Sequence, residues 1–481
     1  MIRKKIRAII VMLTVVSAGA FSCKDIVSGL NENPNYPTDA EATMILTGIQ
    51  LGNIAFHEGH TARVAGFWSG YFTGTDRVSA SLQAYVATGS SFSASWQDVY
   101  YAVFNQERLL EERALPLNNR MLIGIARTIK AHAAGTAAAL WGDIPYSQTG
   151  NIEAYPNPVF DPQLEVYDSV QVLLDKAIAD LESKVGTSPG AADIHFGGDA
   201  SKWMAVAHTL KARFYLDVRN YELAYEEALK GINAPSASLL APHGTSTGNL
   251  NFFSYNRSLT DMTSEAAYLP TLLDDTHANY RGNARTDERA RFNYYFTYTT
   301  AQAARTRYLP NTLNTAARKG IFATNASYSL VTYQENLLIL AETALRTRGL
   351  SEGLERLNHY RAYLNRGGYL DPTYIATGEF LYEPYEAGDL APGGVLNKRQ
   401  ETPEQALLRE ILLEKYITSF GQKQGFTDLR RTRKESVAVP LPPNTGELLP
   451  ERFVYALDET NTNSNAPSPI PGIFEVTPVN R

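Results

Sequence analysis

The feature that most limits the fold of this chain is the return of apolar residues at spacings of three and four. Leu164, Tyr167, Val170, Leu174, Ala177 and Leu181 fall on one such stripe, and Trp203, Ala207, Leu210 and Phe214 continue it beyond Asp199-Ala200-Ser201. A helix of 3.6 residues per turn puts these positions on one face, which must then be buried against another element. The same period predicts helices over Glu41–Phe56, Trp96–Leu115, Arg120–Leu140, Ser329–Arg348, Glu352–Leu364 and Pro403–Phe420. Pro116-Leu117-Asn118-Asn119 would join the second and third of these as a hairpin. No stretch alternates strongly enough to demand a large sheet. The expected fold class is therefore mainly α.

Asn220–Leu229 reads like the first helix of a tetratricopeptide unit, a helical hairpin that buries its face only by stacking. The spacing between such units is irregular here, so the repeats are degenerate. Residues 234–327 break the pattern with Gly, Pro, Asn, Thr and Tyr, and a loop region of that length in a compact body is more often functional than idle. Residues 436–481 hold eight of the 24 prolines and predict an extended tail laid over the body.

The N-terminus assigns the compartment. Arg3, Lys4, Lys5 and Arg7 precede Ala8–Val16, an apolar run too short to span a bilayer but suited to a cleaved signal. Small residues follow, ending Ala20-Phe21-Ser22, and then comes Cys23, the only cysteine. That is where a bacterial lipoprotein carries its acylated residue, although Phe21 is unusual there. One cysteine also excludes an internal disulfide framework. The expected organisation is a signal peptide over 1–22, a lipid-anchored tether over 23–40 and a single helical domain over 41–481. Acyl chains such as palmitate gain about 0.8 kcal/mol per buried methylene, and two or more of them anchor stably. Loss of residues 1–22 removes four basic and no acidic residues, moving the formal charge from −6 to −10. An acidic body argues against nucleic acid and against electrostatic binding to anionic lipid, leaving the lipid as the membrane contact.

Catalytic constellations are sparse. His57-Glu58-Gly59-His60 lacks the spacing of a zinc-protease helix and reads as a loop or surface pair, so no metal is expected. There is no Gly-x-Ser-x-Gly elbow and no phosphate loop. Glu335, Glu342, Glu410 and Glu414, with Arg430, Arg431 and Arg433, fit interhelical ion pairs better than a catalytic dyad. Trp96, Trp141 and Trp203 sit on apolar stripes and belong in the core. Trp68 lies in Gly66-Phe67-Trp68-Ser69-Gly70-Tyr71-Phe72-Thr73-Gly74, which suits either exposed rings or a buried aromatic cluster.

Several segments in order resemble the SusD/RagB family of nutrient-binding outer-membrane lipoproteins, in its SusD-like branch. They are Leu30–Thr38, Leu140–Ser147, Phe196–Asp199 with Lys202-Trp203 and Leu210–Arg213, Thr332–Ala344, Gln424–Arg431 and Arg452–Tyr455. His208 departs from the polar amide common in the second signature. The resemblance implies a helical body with tetratricopeptide-like hairpins and a loop-rich face. It also implies an outer-membrane lipoprotein at the cell surface that caps a SusC-like, TonB-dependent barrel and hands it an oligosaccharide or a peptide. No catalysis and no cofactor are implied. A surface glycoside hydrolase or a purely structural lipoprotein are the competing classes.

Sugars offer apolar CH faces edged with hydroxyls, so their sites need aromatic platforms beside hydrogen-bonding groups. Two segments supply both: Trp68, Tyr71, Asp76 and Arg77, and then Phe253, Tyr255, Asn256, Tyr280 and Arg281. They are expected to converge on one exposed face with Trp68 as stacking platform. The anchor is directly testable. Cys23→Ala should move the protein from the membrane pellet to the soluble fraction, and a variant that still pellets in high salt without its transporter would refute lipidation.

Overall fold

Strong start and stop signals set the helices of the computed structural model, which describes residues 40–258, 261–301 and 304–481. The signal segment, Cys23 and all of the tether but Ala40 lie outside the described residues. The main helices are α1 (Ala42–Glu58), α2 (His60–Trp68), α3 (Gln106–Ala114), α4 (Arg120–Trp141), α5 (Gln163–Glu182), α6 (Ala200–Asp217) and α7 (Tyr221–Ala228). After the irregular region come α8 (Tyr333–Arg348), α9 (Leu350–Asn365), α10 (Pro403–Thr418) and α11 (Lys423–Thr432). The Asn119 side chain caps α4 and Asp199 caps α6. Thr332 with Glu335, and Thr402 with Gln405, close capping boxes on α8 and α10, satisfying backbone N–H groups that a helix start otherwise leaves orphaned.

Consecutive helices pack as neighbours: α4 with α5, α5 with α6, α6 with α7, and α8 with α9. α7 also lies against α8, which carries the stack across the long irregular insertion. Small residues allow the closest approach. A Cβ on Gly135 would fall 2.3 Å from the Phe214 ring, and one on Gly124 would fall 2.9 Å from the Ala177 carbonyl oxygen. Residues Ala42–Arg481 form one compact unit. Among the described residues the strands form five antiparallel pairs and no barrel. They include β1 (Thr73–Gly74) with β3 (Met262–Thr263), β2 (Leu239–Ala241) with β6 (Tyr328–Val331), and the hairpin of β4 (Phe296–Ala301) and β5 (Ala304–Pro310).

The mainly α class holds, with three local departures. Ser329–Val331 is strand rather than helix, because β6 pairs with β2 and Thr332 begins α8 only afterwards. Asp98–Asn105 winds as a π-helix between Ser93–Gln97 and α3. Leu164 does not join the buried stripe of α5: it sits in the first turn and is 53% exposed, while Val166 takes an inward place. The tail from residue 436 is largely irregular, with one short helix at Leu457–Thr462. It docks through backbone: Phe453 N–H donates to the Leu140 carbonyl at 2.8 Å, and the Trp141 indole N–H donates to the Val454 carbonyl at 2.9 Å.

Buried charge ties the insertion to the helices. Arg281 lies 2.5 Å from Glu288, 2.5 Å from Glu410 and 2.7 Å from Glu414. Arg291 reaches Glu288 at 2.5 Å and Glu414 at 3.0 Å, and Arg361 lies 3.9 Å from Glu410. The hydroxyls of Tyr382, Tyr360 and Tyr385 donate to Glu288, Glu414 and Glu410. A second cluster joins Glu342 on α8 to Lys415 on α10 and Arg431 on α11, each at 2.7 Å. Glu335 pairs with Arg213 on α6 at 2.5 Å. These acids thus tie helices together.

Burial alone would raise the Glu414 carboxyl, but the facing Arg281 and Arg291 guanidiniums outweigh it and hold it far below the usual carboxylate range. Glu342 is lowered in the same way by Arg431 and Lys415 against its own burial. A depressed folded pKa means this stabilisation is fully present above the unfolded value, about 4.3, and is lost as pH falls toward the folded one. Urea midpoints should therefore drop steadily from about pH 5 to about pH 3. Arg291→Met, which leaves Glu288, Glu410 and Glu414 one positive charge short, should cost about 3–5 kcal/mol at neutral pH. An unchanged urea midpoint in that variant would show that the network does not support the fold.

Candidate ligand-binding face

Most of the aromatic residues expected to meet a ligand belong to the core. Trp68 is 1% exposed, and its indole N–H donates to the Leu82 carbonyl at 2.9 Å. Its ring packs edge-on against Phe453 (5.2 Å), Phe426 (5.8 Å), Tyr85 (6.4 Å) and Phe92 (6.5 Å). The expectation of a Trp68 stacking platform is corrected accordingly. The ring ends α2 pointing inward, where its large apolar area and single N–H are both satisfied. Tyr71 is buried as well and donates its hydroxyl to the Tyr416 carbonyl at 2.6 Å. Phe253 stacks between Phe72 (5.2 Å) and Phe322 (4.7 Å). Asn256 is buried, accepting from Arg63 at 2.6 Å and donating to the Phe252 carbonyl at 2.8 Å.

Tyr280 and Arg281 are held elsewhere. Arg281 is a member of the buried ion network, so its guanidinium is not available to a ligand. The Tyr280 hydroxyl accepts the Glu288 backbone N–H at 3.1 Å, and the ring is half-buried. Arg281 is a correction with a plain cause: a basic side chain in a loop finds acids brought by a helix more than a hundred residues away, while Tyr280 is held by the backbone of Glu288, eight residues on.

Asp76, Arg77 and Tyr255 are exposed. The first two follow β1, whose pairing with β3 fixes Thr73 opposite Thr263 and Gly74 opposite Met262. The Thr75 N–H donates to the Asp261 carbonyl at 2.9 Å, and Ser79 donates to the Asp261 carboxylate at 3.2 Å. The Arg63–Asn256 bond ties α2 to the short helix Phe252–Ser258 that carries Tyr255. The two segments are thus joined by the β1–β3 seam and by Arg63, through their buried members. Arg77 stands in left-handed backbone at φ +52°, with its N–H held by the Asp76 carboxylate at 2.8 Å and its guanidinium 3.7 Å from Asp261. Such a conformation costs a non-glycine residue about 1–3 kcal/mol and persists only where the surroundings enforce it.

The hairpin supplies residues that sequence reading missed. Ser264 N–H donates to the Tyr308 carbonyl at 2.9 Å, which sets β5 beside the seam. On this hairpin Tyr298 is 37% exposed, and Arg307 lies 3.8 Å from Glu265 with both side chains about half exposed. The alternation of Thr297, Tyr298 and Thr299, followed by Arg305-Thr306-Arg307-Tyr308, was the available signal. Elsewhere His57 and His60 are not a loop or surface pair: His57 is buried on α1 and bonds Thr136 at 3.1 Å, and His60 is half-buried at the start of α2, 3.0 Å from the Arg63 guanidinium. No cluster of three or more metal-binding side chains occurs among the described residues.

Scaffold and face should separate by stability. Trp68→Ala should cost about 3–5 kcal/mol through the cavity it leaves, whereas Tyr255→Ala should change stability by about 0.5 kcal/mol or less. Chemical denaturation of both variants checks this, and equal losses would contradict the division.

The sequence matches, over residues 34–456, the SusD-like family described as "Starch-binding associating with outer membrane". No curated protein matches the chain. Among solved structures it is similar to a SusD/RagB family protein from Bacteroides thetaiotaomicron, at 19% identity and a TM-score of 0.66, covering 92% of this chain and 99% of that one. A SusD homologue from Bacteroides uniformis gives 17% identity, a TM-score of 0.65 and coverage of 92% and 100%. A structure described as a chitin-binding SusD homologue from Flavobacterium johnsoniae gives 17%, 0.63, and 90% and 97%. With stacked helical hairpins, a loop-rich insertion and a sequence match over most of its length, the chain belongs to the SusD-like family.

Proposed function

We propose that this protein is a non-enzymatic nutrient-binding lipoprotein of the outer-membrane surface, anchored through Cys23. It captures an oligosaccharide and delivers it to a SusC-like, TonB-dependent barrel. The capturing face is the one around Asp76, Arg77, Tyr255 and Tyr298. The observation that carries this reading is the seam of β1 and β3. It supports an exposed phenol-bearing helix and an Asp–Arg turn on a scaffold where Trp68, Tyr71 and Phe253 are already buried. A ring on rigid backbone offers a CH-stacking surface at little entropic cost, with charged donors and acceptors beside it for hydroxyls.

The acids weighed as a catalytic dyad are engaged in ion pairs, which favours binding over hydrolysis. No described helix is long and apolar enough to cross a membrane, which suits attachment through a lipid. The exposed Arg77, Arg307 and Glu265 favour one second reading, a peptide ligand held partly by charge.

Calorimetry with neutral oligosaccharides, acidic oligosaccharides and peptides discriminates the readings. An oligosaccharide should bind, and Tyr255→Ala should weaken it about three- to tenfold. A ligand whose affinity ignores both Tyr255→Ala and Arg77→Ala would place the site elsewhere. Binding of peptides alone would shift the ligand class. The barrel should co-purify in mild detergent through an interface well above ~2,000 Å². Repeated recovery of the lipoprotein alone would count against delivery.

A further inference from the structure

A cavity of about 270 Å³ lies between the β2–β6 pair and the ends of α9 and α10. Its mouth is set by Pro235, Leu240 and Ser327, all exposed, and its floor by the buried Tyr328 and Phe420. It is lined by no charged side chain among the described residues. Two of its phenols are engaged by protein: Tyr328 donates to the His57 and Gly421 carbonyls, and Tyr369 pairs with the Tyr295 hydroxyl at 2.8 Å. Three other polar groups are not. The Tyr363 hydroxyl, the Tyr294 hydroxyl and the Gln334 amide make no protein hydrogen bond among the described residues and keep access to the cavity, although Tyr363 and Gln334 are largely buried and Tyr294 is half-buried. Burial pushes both phenols above their ordinary range, so they stay protonated and can donate. Both rings are held by neighbours, Tyr363 against Tyr333 at 5.2 Å and Tyr294 against Tyr374 at 5.5 Å.

Buried polar groups nearly always find partners, so whatever fills the cavity, water or a guest that displaces it, supplies them. An apolar guest would leave all three groups unpaired. A carboxylate, sulfate or ammonium would lose its hydration with no counter-charge to replace it, which costs far more than a neutral hydroxyl does. What fits is an uncharged guest with several hydroxyls and an apolar ring face. At about 30 Å³ per liquid water, the space equals about nine waters, enough for one sugar ring and too small for a chain. We propose that this cavity binds a single neutral pyranose unit, at a site separate from the Tyr255 face. The inference does not depend on the Tyr255 face being a site.

Saturation-transfer NMR and calorimetry on the full chain, with the methyl glycosides of glucose, galactose and N-acetylglucosamine, test it. Methyl glucuronide and glucosamine serve as charged controls. At least one neutral glycoside should bind, and the charged ones at least about tenfold more weakly. Measured in a Tyr255→Ala background, which removes the other face, Gln334→Leu and Tyr363→Phe should each weaken the glycoside about three- to tenfold. Crystals of the wild type soaked with the same glycoside should show it against Gln334, a readout that needs no variant to fold. Silence from every neutral glycoside would overturn the proposal and leave a water-filled cavity. Equal binding of the glucuronide, or loss of binding in Tyr255→Ala alone, would also overturn it. The last result would leave the Tyr255 face standing as the only sugar site.

Discussion

The structure depends on charge that has been taken out of water and balanced. Arg281, Arg291 and Arg361 face Glu288, Glu410 and Glu414, three charges of each sign, with tyrosine hydroxyls on the remaining lone pairs. A buried network of this kind adds little net stability compared with well-packed hydrocarbon, because desolvation offsets most of the attraction. What it adds here is discrimination. Displacing the insertion by one residue would leave several charges buried and unmatched, each at several kcal/mol. The long irregular segment can therefore be held in one place without regular secondary structure. The second cluster, around Glu342, does the same for the junction of α8, α10 and α11.

Local rules were the legible part of the sequence. Helix starts at Asn119, Asp199, Thr332 and Thr402 are capping chemistry acting over three residues. The burial of Trp141 and Trp203 follows from their place on apolar stripes. The ordered family segments were legible too, and they mark scaffold. Asp199 is a cap, Trp203 donates to the buried Asp193 at 2.8 Å, and Gly142 at φ +85° ends α4.

What stayed hidden depended on distant partners. Glycines around Trp68 suggest exposure when read locally, yet Phe426 and Phe453 arrive from the far end of the chain to cover it. Arg281 looks like a free loop cation until α10 brings Glu410 and Glu414 beside it. The tyrosine-lined cavity had no sequence signal at all. It is a gap between elements from six separate stretches of the chain, and each of its tyrosines read alone is an ordinary core residue.

The docking of the C-terminal tail has a kinetic consequence. Phe453 completes the cluster around Trp68, Val454 takes the Trp141 indole proton, and Asn444 donates to the Phe67 carbonyl across 377 positions. Contacts of such separation close only after the intervening chain has been ordered or spanned, which makes them slow to form. Until residues 444–455 arrive, two indole rings in the first third of the chain lack part of their cover. The core around both indoles is therefore complete only once the two ends of the chain have met. The body cannot finish folding while its last segment is still emerging from a ribosome or a translocation pore.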